Sequence, residues 1–256
     1  MSKFDICKHL LYLHFQYINM KLRFTTLALF RQPNDEIINL AKKHGFEMIE
    51  ILGEGPFFER ENPEYIDCGL DVRIHGPTVD LNIASINKEI KDVSVNQMIR
   101  CADYAEKIGA KTVTVHPGKI GRNEPRLRNW AIEMAIESIG KIMDSTNVEI
   151  SVENMPVRPS FLANKVEELE RIQQETGCSL TIDTGHGNTC NNLEEMLKLK
   201  NISYCHLNDN NGIKDQHITL GEGTLDLSLL KKIDVGIIEL NNFDNILKSK
   251  KVIENL

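Results

Sequence analysis

Residues 148–186 read VEISVENMPVRPSFLANKVEELERIQQETGCSLTIDTGH, and the alternation within that stretch decides the fold. Val148–Glu153 is a short β-rich run that ends on a carboxylate. A segment from about Asn164 to Glu175 follows, with helical spacing and many charges. Ser179–Asp183 is a second β-rich run, again closing on a carboxylate. Strand, helix and strand in so short a span form a parallel crossover unit.

The same texture extends in both directions. Toward the N-terminus, Lys21–Phe30, Phe46–Leu52, Leu70–His75 and Lys111–His116 read as strands. Helices are expected over Asp35–His44, Asn87–Ile108 and about Arg128–Met143. Toward the C-terminus come a short helix over Asn192–Lys198, strands at Ile202–His206 and Gly236–Leu240, and a last helix from about Asn242. Strands this continuous in apolar residues indicate a parallel sheet covered on both faces. Eight units in about 235 residues, with no Gly-rich phosphate loop, select a closed (β/α)8 TIM barrel of the α/β class over a doubly wound sheet. No linker or composition break interrupts residues 20–256, so they are read as a single domain. Residues 1–19, MSKFDICKHLLYLHFQYIN, hold an apolar stretch broken by Asp5, His9, His14 and Gln16, with no small-residue cleavage site. They are read as a dispensable leader, arising from a start misplaced ahead of Met20 or from a short added helix.

Composition narrows the classes. The 256-residue chain is 41% hydrophobic, enough for a full core, and carries a net charge of −7 with pI near 5.7. That balance supplies no global basic field for nucleic acid, though it leaves room for a local basic rim or metal-mediated phosphate contact. No run of about twenty apolar residues exists, so no membrane span is expected. The six cysteines (Cys7, Cys68, Cys101, Cys178, Cys190 and Cys205) are scattered without a C-x-x-C and fit reduced thiols of a cytoplasmic protein. No obligate protein partner is inferred.

In such a barrel the chemistry sits where strands end, because the loops there converge over the mouth. His75 ends the third strand in RIHGP, and His116 the fourth in VHPG. Glu153 ends the fifth in VENMP, and Asp183 the sixth, with His186 three residues on in DTGHGN. His206 ends the seventh and opens the loop HLNDNNGIKDQHITLGEG (206–223), which carries Asp209, Asp215 and His217. Glu239 stands near the end of the eighth in IIELN. The remaining histidines, His9, His14 and His44, lie in the leader and the first helix, where surface or packing roles suffice. Taken singly, Asp183 fits a cap, Glu153 and Glu239 fit lysine partners, and His75 fits a satisfied core histidine. Together, four carboxylates and five imidazoles on one mouth would desolvate and repel one another without cations between them. One metal satisfies four or five such ligands, so nine imply two or three.

The H-P-G after strand four, the D-T-x-H after strand six and the H-x-N-D…D-x-H-x-x-x-G-x-G after strand seven carry a resemblance. From Met20 onward the chain resembles the xylose isomerase-like barrel superfamily, and within it endonuclease IV (apurinic endonuclease family 2). That resemblance implies up to three Zn2+. His75, His116 and Glu153 would hold one, with Glu153 bridging to a second on Asp183, His206 and Glu239. His186, Asp215 and His217 would hold the third. The implied reaction is phosphodiester hydrolysis at abasic sites in DNA, or of a related phosphate ester, by metal-hydroxide attack.

Two departures favour a neighbouring branch. The strand-one loop is only about Arg31–Asn34, and Thr78 stands where endonuclease IV proteins have a tyrosine. The phrases ENMP, DTGHGN and HLNDNNG…LGEG are also similar to members labelled sugar-phosphate isomerases or epimerases. There a single Mn2+, Co2+ or Mg2+ would sit on Glu153, Asp183, His206 and Glu239. Glu153 and Glu239 would move protons on a small phosphorylated substrate, and His186 would orient it. Lys119, Arg122, Arg158 and Lys214 offer a basic lip for phosphate in either reading, whereas Arg126 and Arg128 fit a solvated helix start equally well. The hydrolase is the favoured reading, the isomerase or epimerase the alternative, and a non-catalytic binding barrel the least favoured.

Overall fold

A computed structural model of the chain describes residues 20–54, 62–122 and 124–256. The leader 1–19 lies outside the described residues. Eight parallel strands close in sequence order into one barrel. They are β1 Lys21–Thr25, β2 Met48–Leu52, β3 Asp71–His75, β4 Thr112–Val115, β5 Glu149–Glu153, β6 Ser179–Asp183, β7 Ile202–Leu207 and β8 Val235–Ile238. The helices are α1 Asn34–Lys43, α2 Lys88–Ile108, α3 Pro125–Asp144, α4 Val166–Thr176, α5 Thr184–Cys190, α6 Leu193–Met196 and α7 Phe243–Glu254. No helix among the described residues is long and apolar enough to cross a membrane. The five described cysteines are free.

The expected strands and helices appear in the expected order with limits shifted by a few residues, and three differences matter. The apolar run KLRFTTLALF leaves the sheet at Thr25 and turns into a 3-10 helix, Thr26–Leu29. Thr26 Oγ1 there accepts from Leu52 N at 2.9 Å, tying the turn over the end of β2. Periodicity cannot separate these states in so short an apolar run. Helix α3 begins at Pro125, capped by Glu124, so Arg128 is inside it. Arg128 meets Glu168 and reaches Asn164 Oδ1 at 2.9 Å and the carbonyls of Pro159 and Phe161. It is a partly buried strut, not a solvated helix start. Helix α5 falls on DTGHGNTC, whose glycines disguise it. A Cβ on Gly185 would lie 1.8 Å from Asn208 Oδ1, so the close approach of β7's loop requires glycine.

The larger surprise is inside the barrel. Ile49, Ile51, Val72, Ile74, Val113, Val115, Ile150, Val152, Leu180 and Ile182 are all buried against the helical layer. Alternation along each strand therefore turns polar neighbours inward. Glu50, Thr114, Ser151, Thr181 and Tyr204, on five strands, are hydrogen-bonded across the interior. Beneath them Arg73 donates to Thr112 Oγ1 and Ser203 Oγ, which both donate to Glu149 Oε2. Barrels of this kind are usually filled with branched apolar side chains. Here the filling is a polar column, and it supports the residues at the mouth.

Candidate metal centre

All nine strand-end residues converge at the C-terminal mouth in three groups. His75, His116 and Glu153 form one, Glu153, Asp183, His206 and Glu239 a second, and His186, Asp215 and His217 a third. Within each group one ligand atom from every residue lies within 4.8 Å of the others. Glu153 belongs to two groups. Its Oε2 is 2.9 Å from His116 Nε2 and 3.4 Å from His75 Nε2, while Oε1 is 2.9 Å from His206 Nδ1. Asp215 stands 3.3 Å from His186 Nε2 and 3.2 Å from His217 Nε2.

Three of the imidazoles are oriented from behind by backbone carbonyls. The Nδ1 atoms of His75, His186 and His217 face the carbonyls of Gly76, Asn154 and Glu239 at 2.9, 2.7 and 3.0 Å. Those carbonyls only accept, so Nδ1 carries the proton and Nε2 offers its lone pair to the site. Asp183 Oδ1 caps α5 by accepting from His186 N at 2.6 Å, and Oδ2 accepts from Asn208 Nδ2 at 2.8 Å. His217 adopts φ 48°, left-handed backbone that a non-glycine residue rarely takes. Such strain at a side chain aimed into a cluster is characteristic of functional positions.

The loop 206–223 divides its labour. Asp209 is fully buried and is absent from all three groups. Its carboxylate accepts from the backbone N–H groups of Asn210, Gly221, Gly223 and Leu225, which folds the loop over itself. A Cβ on Gly223 would lie 2.3 Å from Asp209 Oδ1, which explains the closing glycine. The sequence reading missed Glu50, Asn154 and Asn208 as supports of the site. The legible signal for Glu50 was a lone carboxylate in the middle of the apolar run MIEIL.

The donor set fits divalent cations. Glu153 Oε2 and Asp215 Oδ1 are buried without a well-aimed hydrogen bond, although imidazoles surround both. Burial opposes charge on His75 and His186, but Glu153 beside the first and Asp183 and Asp215 beside the second push both up to about 9. Burial likewise opposes charge on His217, and Asp215 raises it to about 10. Burial lifts Asp183 to about 6. The carboxylates thus favour positive charge on these imidazoles.

The sign of the pH dependence follows. The ordinary value for His75 is 6.5 and its folded value about 9, so the metal-free folded protein binds protons there that the unfolded chain releases. That stability is complete below 6.5 and is lost as pH rises through 9. Metal must displace the same protons, so its advantage grows over the same interval. The Tm of chelator-treated protein should fall across this window, while the increment added by saturating Zn2+ should rise. Thermal melts across the window check both slopes, and a metal-free Tm that climbs would contradict them.

A cavity of about 390 Å³ opens above the three groups. Leu27, Leu52, Leu81, Ile83 and Met98 line it, with Lys119, Arg158 and Phe161 also on its wall. Arg158 lies over the Phe161 ring, and backbone pairing joins Lys119 to Phe161. Arg122 and Lys214 are exposed and do not line the cavity. Thr78 does line it, and both its N–H and hydroxyl are held by Glu54 Oε1.

The model of the xylose isomerase-like TIM barrel family matches residues 38–247. The chain belongs to this family. Uncharacterized protein MJ1311 of Methanocaldococcus jannaschii is 28% identical over 93% of this chain and 89% of its own length. A probable endonuclease 4 of Thermotoga petrophila is 25% identical over 56% of this chain and 57% of its own length. Among solved structures of the same fold, a D-tagatose 3-epimerase-like protein superposes with TM-score 0.79 at 24% identity, covering 92% of this chain and 96% of that one.

Proposed function

We propose that this family member is a Zn2+-dependent phosphodiester hydrolase resembling endonuclease IV, acting at abasic sites in DNA or on a related phosphate ester. The observation that carries the reading is the third group, His186, Asp215 and His217, beside the first two groups, which are joined through Glu153. A single-metal enzyme has no need of that group as a metal site, whereas a phosphoryl centre that must meet charge on attacking and leaving oxygens does. When bound, the ions would lower the pKa of water and neutralise charge on the phosphate. The chain's own residues would do the rest. Lys119 and Arg158 on the cavity wall would hold the non-reacting phosphate oxygens. The aliphatic wall would exclude bulk water from the ester.

A second reading, a single-metal sugar or sugar-phosphate isomerase or epimerase, draws on one feature. The cavity, about 390 Å³ with aliphatic side chains on part of its wall, suits a compact substrate, with Thr78 in place of an aromatic platform. Glu153 and Glu239 would then be the proton-moving pair, with His186 orienting the substrate.

Elemental analysis of protein purified without chelator separates the two. The hydrolase requires about three zinc ions per chain and cleavage of a duplex containing an abasic site. One manganese or cobalt per chain would sink the three-ion centre. Fully loaded protein that leaves the duplex intact but converts a phosphorylated sugar would move the function to the second reading.

A further inference from the structure

We propose that Glu50, on β2, is the positioning residue that makes His206 an Nδ1 ligand and sets the metal affinity of the group it shares with Glu153, Asp183 and Glu239. His206 is oriented oppositely to the other well-tethered imidazoles of the site. His75, His186 and His217 give Nδ1 to backbone carbonyls and keep Nε2 for the centre. In His206 it is Nε2 that points away, 2.8 Å from Glu50 Oε2, while Nδ1 faces Glu153 Oε1 at 2.9 Å and Glu239 Oε2 at 3.4 Å. The rear partner is also different in kind. It is a carboxylate, and it is fully buried.

Glu50 is built to accept only. Its Oε1 receives the Tyr204 hydroxyl at 2.8 Å and Thr114 Oγ1 at 3.1 Å. Among the described residues, every polar contact that Glu50 makes is thus with a side chain able to donate to it. An anionic Glu50 requires the proton of neutral His206 to sit on Nε2, leaving the Nδ1 lone pair free for a cation. It also places a fourth buried negative charge beside Glu153, Asp183 and Glu239, which favours a dication without occupying a coordination position. The polar column in the barrel holds this carboxylate from below, and so it reaches the mouth through a single imidazole.

This inference rests on the reading that the Glu153–Asp183–His206–Glu239 group holds a metal, and the experiment keeps the two apart. Metal-free wild type, Glu50→Gln and Glu50→Leu are titrated with Co2+ and Zn2+ against a chromophoric chelator, and the nitrogen chemical shifts of His206 are followed by NMR. Glu50→Gln is close to isosteric and retains an acceptor, so it remains informative if Glu50→Leu does not fold. Wild type should show a metal-bound Nδ1 and a protonated Nε2 on His206. Glu50→Gln should weaken one ion by about 10–100-fold and leave any others unchanged, with a shifted His206 Nε2 resonance. Equal affinity in wild type and both variants, or metal on Nε2 of His206, would overturn the inference, as would a variant that lowers only Tm. Wild type that binds no metal at this group would instead overturn the reading beneath it.

Discussion

Glu153→Gln protein is expected to lose two of the three ions proposed for the centre and on the order of 10³-fold in activity, about 4 kcal/mol at the transition state. The expectation follows from the shared position of Glu153. One oxygen faces His206 Nδ1 at 2.9 Å, and the other faces His116 and His75 at 2.9 and 3.4 Å. Burial pushes this carboxyl up, but His206 and His116 outweigh it and hold Glu153 well below the usual carboxylate range. An amide replaces one anionic oxygen with an NH2 group, which directs a donor toward a cation and leaves the imidazoles without their counter-charge. Since Glu153 completes both groups, neither is intact without it. Metal content and turnover measured on the same preparation check this. A Glu153→Gln protein with a full complement of ions would show that Glu153 bridges nothing.

The second large effect separates the two functional readings. Asp215→Asn and His217→Ala should each remove one ion, leave about two, and cut phosphodiester cleavage by about 10²–10³-fold. Asp215 is the carboxylate between His186 and His217, at 3.3 and 3.2 Å, and both imidazoles are already locked by backbone carbonyls. The pair has no contact with Glu50 or His206, so the central group should remain loaded. The strained backbone at His217 gives a further sign. Its φ of 48° should be relieved in His217→Gly, which is expected to keep or raise Tm relative to His217→Ala while losing the same ion. Unchanged turnover of a phosphorylated sugar by both single variants would assign the protein to the isomerase or epimerase reading and leave the third group without a catalytic part.

Strand ends were the most legible feature of this chain. β3, β5 and β6 each end on an ionisable residue that closes an apolar run, so the change of texture marks them, and β6 matches its expected limits, Ser179–Asp183. Three kinds of feature were not legible. The 3-10 turn at Thr26–Leu29 has the composition of the strand it follows. Helix α5 carries two glycines for packing reasons that belong to Asn208 and Leu193 on other elements. The polar filling of the barrel was hidden because helix-facing and axis-facing residues alternate, and the apolar half dominates the impression of each run.

The sequence by itself determined the class of fold, the order of its elements and the nine residues able to bind cations, because those properties follow from periodicity and residue type at strand ends. The resemblance of its motifs implied how the nine divide into groups, and only the tertiary structure decided through which atom each faces its group. It also decided that Asp209 folds a loop instead of joining the centre, and that Glu50 reaches His206 across the barrel. The reason is physical. Ligand atoms must come within a few ångströms, and a closed barrel brings together residues as far apart in the chain as Glu50 and His206 only when all eight strands are in place.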